Sequence, residues 1–219
     1  LNRGDKAALI GEEGNGKSTL LKWIYDPKLV EDYAETEGLR ISQGEISGYL
    51  PQELPEEYGE KTVYEYFCGL SAFQSANAAE LNGISVKLSF DDELYYSGQK
   101  MRTLSGGERI KVQLAGLRLA QPDVLFLDEP SNDIDLETIK RLEKIIKDFS
   151  GAVLFISHDE SLIENTANRI ILIEQLRRKS VPKISVADTS YAAFMEERKN
   201  SFAKQEKEAY NERREEKKA

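Results

Sequence analysis

Gly11-Glu12-Glu13-Gly14-Asn15-Gly16-Lys17-Ser18 fits the pattern G-x-x-x-x-G-K-[ST]. The residues before it, Lys6 to Ile10, form a short apolar run that predicts a buried strand. Those after it, Thr19 to Tyr25, carry Leu20, Leu21, Trp23 and Ile24 and predict a helix. A strand, a glycine-rich turn and a helix in that order make a phosphate cradle. Glycines at 11, 14 and 16 let the backbone turn tightly and aim successive N–H groups at phosphate oxygens. The helix N-terminus adds its partial positive charge. Lys17 is the point charge for the β- and γ-phosphates, and Ser18 offers a hydroxyl to Mg²⁺.

A second apolar run, Val124 to Leu127, predicts a central strand buried on both faces. It delivers Asp128 and Glu129 at its C-terminal end, where open α/β sheets place ligands. Adjacent strand residues point to opposite sides, so the two carboxylates are expected to hold different jobs. Asp128 is the natural partner of the Mg²⁺ held by Ser18, and Glu129 is placed to polarise a water as general base. The run Ala152 to Ile156 predicts another strand, with His158, the one histidine of the chain, just past its end.

Between these runs stands Ser105-Gly106-Gly107-Glu108. Ser105 and Glu108 make a capping box before a helix whose stripe is Ile110, Leu114 and Leu117. A capped N-terminus carrying two glycine N–H groups is also an anion site. Trp23 is expected in the core beside the phosphate-loop helix, and Cys68 as a small buried residue.

Taken together, these motifs resemble the ATP-binding-cassette proteins. Leu104 to Glu108 looks like the family signature. Gln52, in Tyr49-Leu50-Pro51-Gln52, matches the glutamine that reaches the metal and the attacking water. Ser131-Asn132-Asp133-Ile134-Asp135 matches the D-loop, and His158 the switch histidine at the γ-phosphate. The resemblance covers residues 1 to about 175 and implies an α/β fold, a P-loop NTPase sheet with helices on both faces and a mostly helical signature subdomain. It implies ATP as substrate with Mg²⁺ as cofactor, the metal held by Ser18, Gln52 and Asp128. Catalysis would fall to Glu129, His158 and Gln52. Gly11, Glu12, Glu13, Gly14, Asn15, Gly16, Lys17, Ser18 and Thr19 would bind the phosphates. Ser105, Gly106, Gly107 and Glu108, with Asp135 of the D-loop, would face the ATP of a second cassette.

Several details look like the soluble F subfamily, whose members act on ribosomes. The signature ends in Glu108 where transporter cassettes commonly carry Gln, and Arg109 to Ala115 resembles the F-subfamily continuation. Pro130-Ser131-Asn132 resembles its Pro-Thr-Asn, whereas Asp133 departs from the common His. Residues 196–219 hold eight Lys/Arg, seven Asp/Glu and neither Gly nor Pro. That composition predicts a polar helix with a thin stripe of Phe202, Ala203, Ala209 and Tyr210, lacking a core of its own. It resembles the start of the linker that, in the F subfamily, reaches towards tRNA on the ribosome.

The domain expectation is a nucleotide-binding domain over 1–185, its helical subdomain near 56–120, then an edge strand and the start of the linker over 186–219. Leu1-Asn2-Arg3-Gly4-Asp5 runs straight into the first strand with no Met. The resemblance therefore implies a fragment, most of an N-terminal cassette without its adenine-stacking strands. The net charge of −9 argues against nonspecific binding of RNA by the cassette surface, though not against a local basic patch. No apolar run has the length of a membrane span and no signal peptide is visible. One cysteine makes no internal disulfide, which fits a cytoplasmic chain. Two other functions compete: the motor cassette of a membrane transporter, and a non-hydrolytic interaction module.

Overall fold

The computed structural model describes residues 1–38, 44–175 and 182–216. Among the described residues six strands make one sheet: β1 (Lys6–Gly11), β2 (Ser47–Leu50), β3 (Val124–Asp128), β4 (Ala152–Ile156), β5 (Arg169–Gln175) and β6 (Pro182–Ala187). Their order is β2-β3-β4-β1-β5-β6. The first five are mutually parallel and β6 runs antiparallel along β5. Parallel strands are covered on both faces and read as unbroken apolar runs. Accordingly β4 is buried at every residue and β3 at all but its first.

The helices among the described residues are α1 (Lys17–Tyr25), α2 (Glu56–Gly59), α3 (Val63–Cys68), α4 (Ser71–Ser75), α5 (Ala78–Leu88), α6 (Gly106–Leu119), α7 (Leu136–Asp148), α8 (Glu160–Thr166) and α9 (Tyr191–Glu216). Strand alternation divides the core in two. Ala7, Leu9, Phe126, Leu154 and Ile156 pack with Leu21 of α1 on one face. Ala8, Leu125, Leu127, Val153 and Phe155 meet α6, α7 and α8 on the other. Phe155 is fully buried, so truncation to Ala costs about 3–5 kcal/mol.

The elements between β2 and β3 are held by aromatic packing. Phe67 meets Tyr95 edge-on with centroids 4.8 Å apart, and the buried Tyr95 hydroxyl donates to the Leu81 carbonyl at 3.1 Å. Phe67 takes the core position next to Cys68, so Cys68 is half-buried rather than fully buried as expected. Trp23 is another difference. The buried residues of α1 are Lys17 and Leu21, and Trp23, two positions on from Leu21, lies on a half-exposed side.

Helix α6 is buried beyond the expected stripe. Val112, Gln113 and Ala115 are buried along with Ile110 and Leu114, while Leu117 is only partly covered. The helix lies inside the molecule, packed against β2 on one side and α4 and α5 on others. Asp135 caps α7 as predicted, its carboxylate accepting from the Thr138 N–H at 2.9 Å. The apolar face of α7 is shifted from the predicted set of Leu136, Ile139, Leu142, Ile146 and Phe149. Leu136 is exposed, Ile139 and Phe149 are half-buried, and Ile145 joins Leu142 and Ile146 in the core.

Among the described side chains, helix α9 is anchored at its start. Phe194 is buried, the Tyr191 hydroxyl donates to Glu160, and Arg198 donates to Glu174 Oε1 at 2.7 Å. Phe202 beyond it is exposed. The side chains of Ala209 and Tyr210, and residues 217–219 of the predicted polar helix, lie outside the described residues.

Candidate functional site

Parallel pairing sends the C-terminal ends of β1, β2, β3 and β4 to one edge of the sheet. β1 runs into the glycine-rich loop, β2 ends two residues before Gln52, β3 ends at Asp128, and β4 ends two residues before His158. Four motifs far apart in sequence thus converge by register alone, Asp128 lying opposite Ile156. Together they form a cleft of about 460 Å³. Glu13, Gly14, Gly16, Lys17, Ser18, Thr19, Gln52, Glu129 and His158 line it, with Asn132 and Ile156.

The loop has the shape its glycines predict. Gly16 precedes α1 in the left-handed region at φ 75°. At Gly11 a Cβ would lie 2.4 Å from the Ile173 carbonyl oxygen, so no side chain fits there. The Asn15 amide donates to that same carbonyl at 3.2 Å, which ties the loop to β5. Gly11, Glu12 and Asn15 do not line the cleft. Lys17 is buried, and its Nζ donates to the Gly11 and Glu12 carbonyls, both at 2.9 Å.

The two carboxylates separate as predicted, but by a different device. β3 ends at Asp128, and Glu129 turns out of the strand in the left-handed region at φ 48°. Such a backbone costs of order 1–3 kcal/mol for a residue other than glycine and gathers at functional sites. The Glu129 N–H donates to the Ile156 carbonyl at 3.0 Å, which holds the turn. Asp128 accepts from Ser18 Oγ at 2.9 Å and from the Tyr49 hydroxyl at 3.3 Å. Glu129 faces His158, with Nε2 3.1 Å from Oε1 and the His158 backbone N–H donating to Oε2 at 3.2 Å.

Burial sets the electrostatics. It pushes the Asp128 carboxyl above its ordinary range, against the hydrogen bonds from Ser18 and Tyr49. It pushes Glu129 up as well, against the attraction of His158. The Tyr49 phenol is driven far up, first by burial and then by Asp128, so it stays a donor. Ser18 Oγ and Asp128 offer paired hard oxygens, and the Gln52 amide lines the same cleft. Among the described residues no three His, Cys, Asp or Glu side chains gather to hold a metal. Few protein ligands completed by substrate phosphates is the pattern of Mg²⁺ sites, so the donor set fits that ion.

Ser105 to Glu108 and Asp135 lie outside the cleft. Ser105 and Glu108 form the predicted capping box, and its hydrogen bonds hold the Glu108 carboxyl below the usual range. Gly106 sits so close to the Asp133 carbonyl that a Cβ would lie 2.1 Å from its oxygen. The signature segment and the D-loop segment are thereby locked into one surface. Three residues at the site stand outside the sequence-based set: Ile156, which enters there only as the end of a strand run, Asn132 and Tyr49. Asn132 was only part of the D-loop match, and Tyr49 only introduced Gln52. Strand alternation carried the signal for Tyr49, which pairs with Phe126, two residues before Asp128 on the same face.

Residues 1–132 match the family described as ABC transporter. The chain belongs to this family. Among its relatives, ATP-binding protein Uup of Buchnera aphidicola is 36% identical over 184 residues, covering 83% of this chain and 30% of that protein. ABC transporter F family member 5 of Arabidopsis thaliana is 30% identical, covering 80% of this chain and 24% of that protein. Among solved structures, the cassette is similar to a chain of "Model of ribosome-bound archaeal Pelota and ABCE1", with a TM-score of 0.62 and 27% identity. That match covers 80% of this chain and 29% of the other. The cassette thus spans about a third or less of each of these relatives. Within the ABC family, the F-type resemblance of its motifs accords with these matches.

Proposed function

We propose that this chain binds MgATP in the strand-end cleft and supplies one half of a composite site that hydrolyses ATP to ADP and phosphate. The observation that carries the proposal is the Ser18–Asp128 hydrogen bond at 2.9 Å, which joins phosphate loop and carboxylate strand into one metal-binding pair beside Glu129. Within the loop Gly11 to Thr19, the cleft-lining Glu13, Gly14, Gly16, Lys17, Ser18 and Thr19 hold the phosphates while Gly11, Glu12 and Asn15 shape the loop behind them, and Lys17 exchanges its loop carbonyls for phosphate oxygens. Ser18, Asp128 and Gln52 hold Mg²⁺, which neutralises phosphate charge when bound. Glu129 takes the proton of the attacking water, and His158 holds its carboxylate in place. Ser105, Gly106 and Gly107, with Asp135, complete the site of a second cassette. The proposed domain limits are 1–185 for the nucleotide-binding domain and 186–219 for the linker start, with the edge strand β6 (Pro182–Ala187) running across that limit.

The cellular role proposed is that of an F-type cassette acting on the ribosome, in translation or antibiotic resistance, in the cytoplasm. Two observations support it: the F-family relative, and the similarity to a protein titled as ribosome-bound. Among the described residues no helix is long and apolar enough to cross a membrane. Ribosome or tRNA contact is assigned to helix α9, which carries six Lys/Arg alongside seven Glu and so would engage RNA through local basic residues rather than through its net charge. Co-sedimentation of the intact protein with ribosomes, with MgATP and the Glu129→Gln change, tests this role. ATP-dependent pelleting is expected. Its absence, with ATP binding intact, favours the transporter motor.

A further inference from the structure

One partner of the Asp128 carboxylate comes from outside the phosphate loop. Oδ1 takes the Ser18 hydroxyl and Oδ2 takes the hydroxyl of Tyr49. Tyr49 stands on β2 opposite Phe126, so its phenol reaches along one sheet face to Asp128. Its ring stacks on Tyr25, with centroids 5.0 Å apart and planes 25° apart. Tyr25 in turn meets Phe126 edge-on at 6.1 Å. Ser18 lies in the first turn of α1 and Tyr25 is its last residue. The helix therefore reaches the same carboxylate from both ends, directly at one and through a stacked pair at the other.

We propose that Tyr49 is a positioning residue for the divalent metal: its O–H on Oδ2 pins the Asp128 carboxylate so that Oδ1 and Ser18 Oγ present one fixed oxygen pair to Mg²⁺. The proposal rests on the nucleotide reading of the cleft. A carboxylate turns about a broad two-fold torsion, and a donor on one oxygen narrows it. The ring stack fixes the donor, since it leaves the phenol little freedom to follow a rotating carboxylate. Because Tyr49 is three residues before Gln52, the same contact ties the end of β2 to the end of β3. Losing a group that orients a metal ligand weakens metal binding by roughly 10–100-fold in known sites.

Tyr49→Phe keeps the ring and removes only the hydroxyl. A fluorescent ATP analogue is titrated onto the protein in EDTA and then at rising Mg²⁺. The expected result is unchanged affinity in EDTA and about tenfold more Mg²⁺ needed for half-maximal gain in affinity. Tyr25→Leu, which loosens the ring but keeps the hydroxyl, is expected to give a smaller shift in the same direction. Melting temperatures with and without MgATP are compared within each variant, so any loss of fold stability cancels. A Mg²⁺ dependence equal to that of the unsubstituted protein overturns the proposal. So does an equal loss in EDTA and in Mg²⁺, which marks a purely structural role. Lys17→Ala separates the two readings. If the unsubstituted chain binds nucleotide and Lys17→Ala does not, the nucleotide reading holds and the Tyr49 role stands or falls alone. If the unsubstituted chain gains no affinity from Mg²⁺, both are overturned.

Discussion

His158 grips Glu129 at both carboxylate oxygens, through Nε2 at 3.1 Å from Oε1 and through its backbone N–H at 3.2 Å from Oε2. The imidazole is more than half exposed, at 55%, while the glutamate side chain is 6% exposed. An exposed ring thus closes over a buried carboxylate at the mouth of the cleft. Removing the carboxylate removes the proposed base. Glu129→Gln is expected to keep ATP binding and slow hydrolysis by on the order of 10²–10⁴-fold. Single-turnover hydrolysis by the complete protein measures this, and full-speed turnover would show that Glu129 is not the base.

His158→Ala leaves the backbone N–H bond to Oε2 and removes only the ring. The expected loss in rate is smaller, about 10–100-fold, corresponding to one charged hydrogen bond of ~1.5–3 kcal/mol. Combining the two substitutions should give little beyond Glu129→Gln, because both act through one carboxylate. Additive losses would assign His158 a role independent of Glu129.

Asp128 gives a stability prediction of opposite sign to its functional one. Burial raises its folded pKa above the unfolded value, so the ionised form opposes folding at neutral pH. That cost is relieved as pH falls through the raised folded pKa, and relief is complete below the unfolded value. Asp128→Asn removes the charge, and its amide oxygen and nitrogen still meet the Ser18 and Tyr49 hydroxyls. The nucleotide-free variant is therefore expected to melt higher at pH 7 than the unsubstituted chain. The advantage should shrink as pH falls into the carboxylate range. Melting curves from pH 4 to 7 without nucleotide check it. Mg²⁺-dependent ATP binding should be lost in the same variant.

The parts of the site that were legible in sequence are those written into contiguous residues. Lys6 to Ser18 specifies strand, turn and helix start, and the apolar runs before Asp128 and His158 specify two more strand ends. Parallel pairing then does the rest, since all these ends fall on one edge. What was not legible depends on backbone and neighbours. The left-handed turn at Glu129 is set by its bond to Ile156, twenty-seven residues away by number, and no local pattern announces it. The exposure of Leu136 and burial of Ile145 follow from how α7 is rotated against the sheet. Tyr49 needed the β2–β3 register before its partner could be named.

Gly106 gives a test of the shared surface of signature and D-loop. A Cβ there would lie 2.1 Å from a backbone oxygen that cannot swing aside. Gly106→Ala is expected to destabilise by about 1–3 kcal/mol through overpacking. At Gly107 the nearest atom is the Thr138 hydroxyl at 3.2 Å, so Gly107→Ala should cost less. Urea unfolding of the two variants ranks them, and equal stability would contradict the locked contact. Ser105→Ala, which loses the cap of α6, is expected to cost about 1 kcal/mol.

Activity of the 219-residue chain alone should depend on its own concentration. The cleft is lined by phosphate loop, Gln52, Glu129 and His158, and none of Ser105 to Glu108 lines it. One chain therefore carries both halves of the proposed composite site but cannot bring them to the same phosphate. Two chains placed head to tail could, each lending its capped helix N-terminus to the other. At low concentration turnover should be very slow. It should rise more steeply than linearly with protein, and Ser105→Ala mixed with Lys17→Ala should retain less than either chain mixed with the unsubstituted one. Steady-state phosphate release over a hundredfold range of protein, with sedimentation to follow association, measures both. Fast turnover strictly proportional to the concentration of a monomer would mean that the cleft works without a partner.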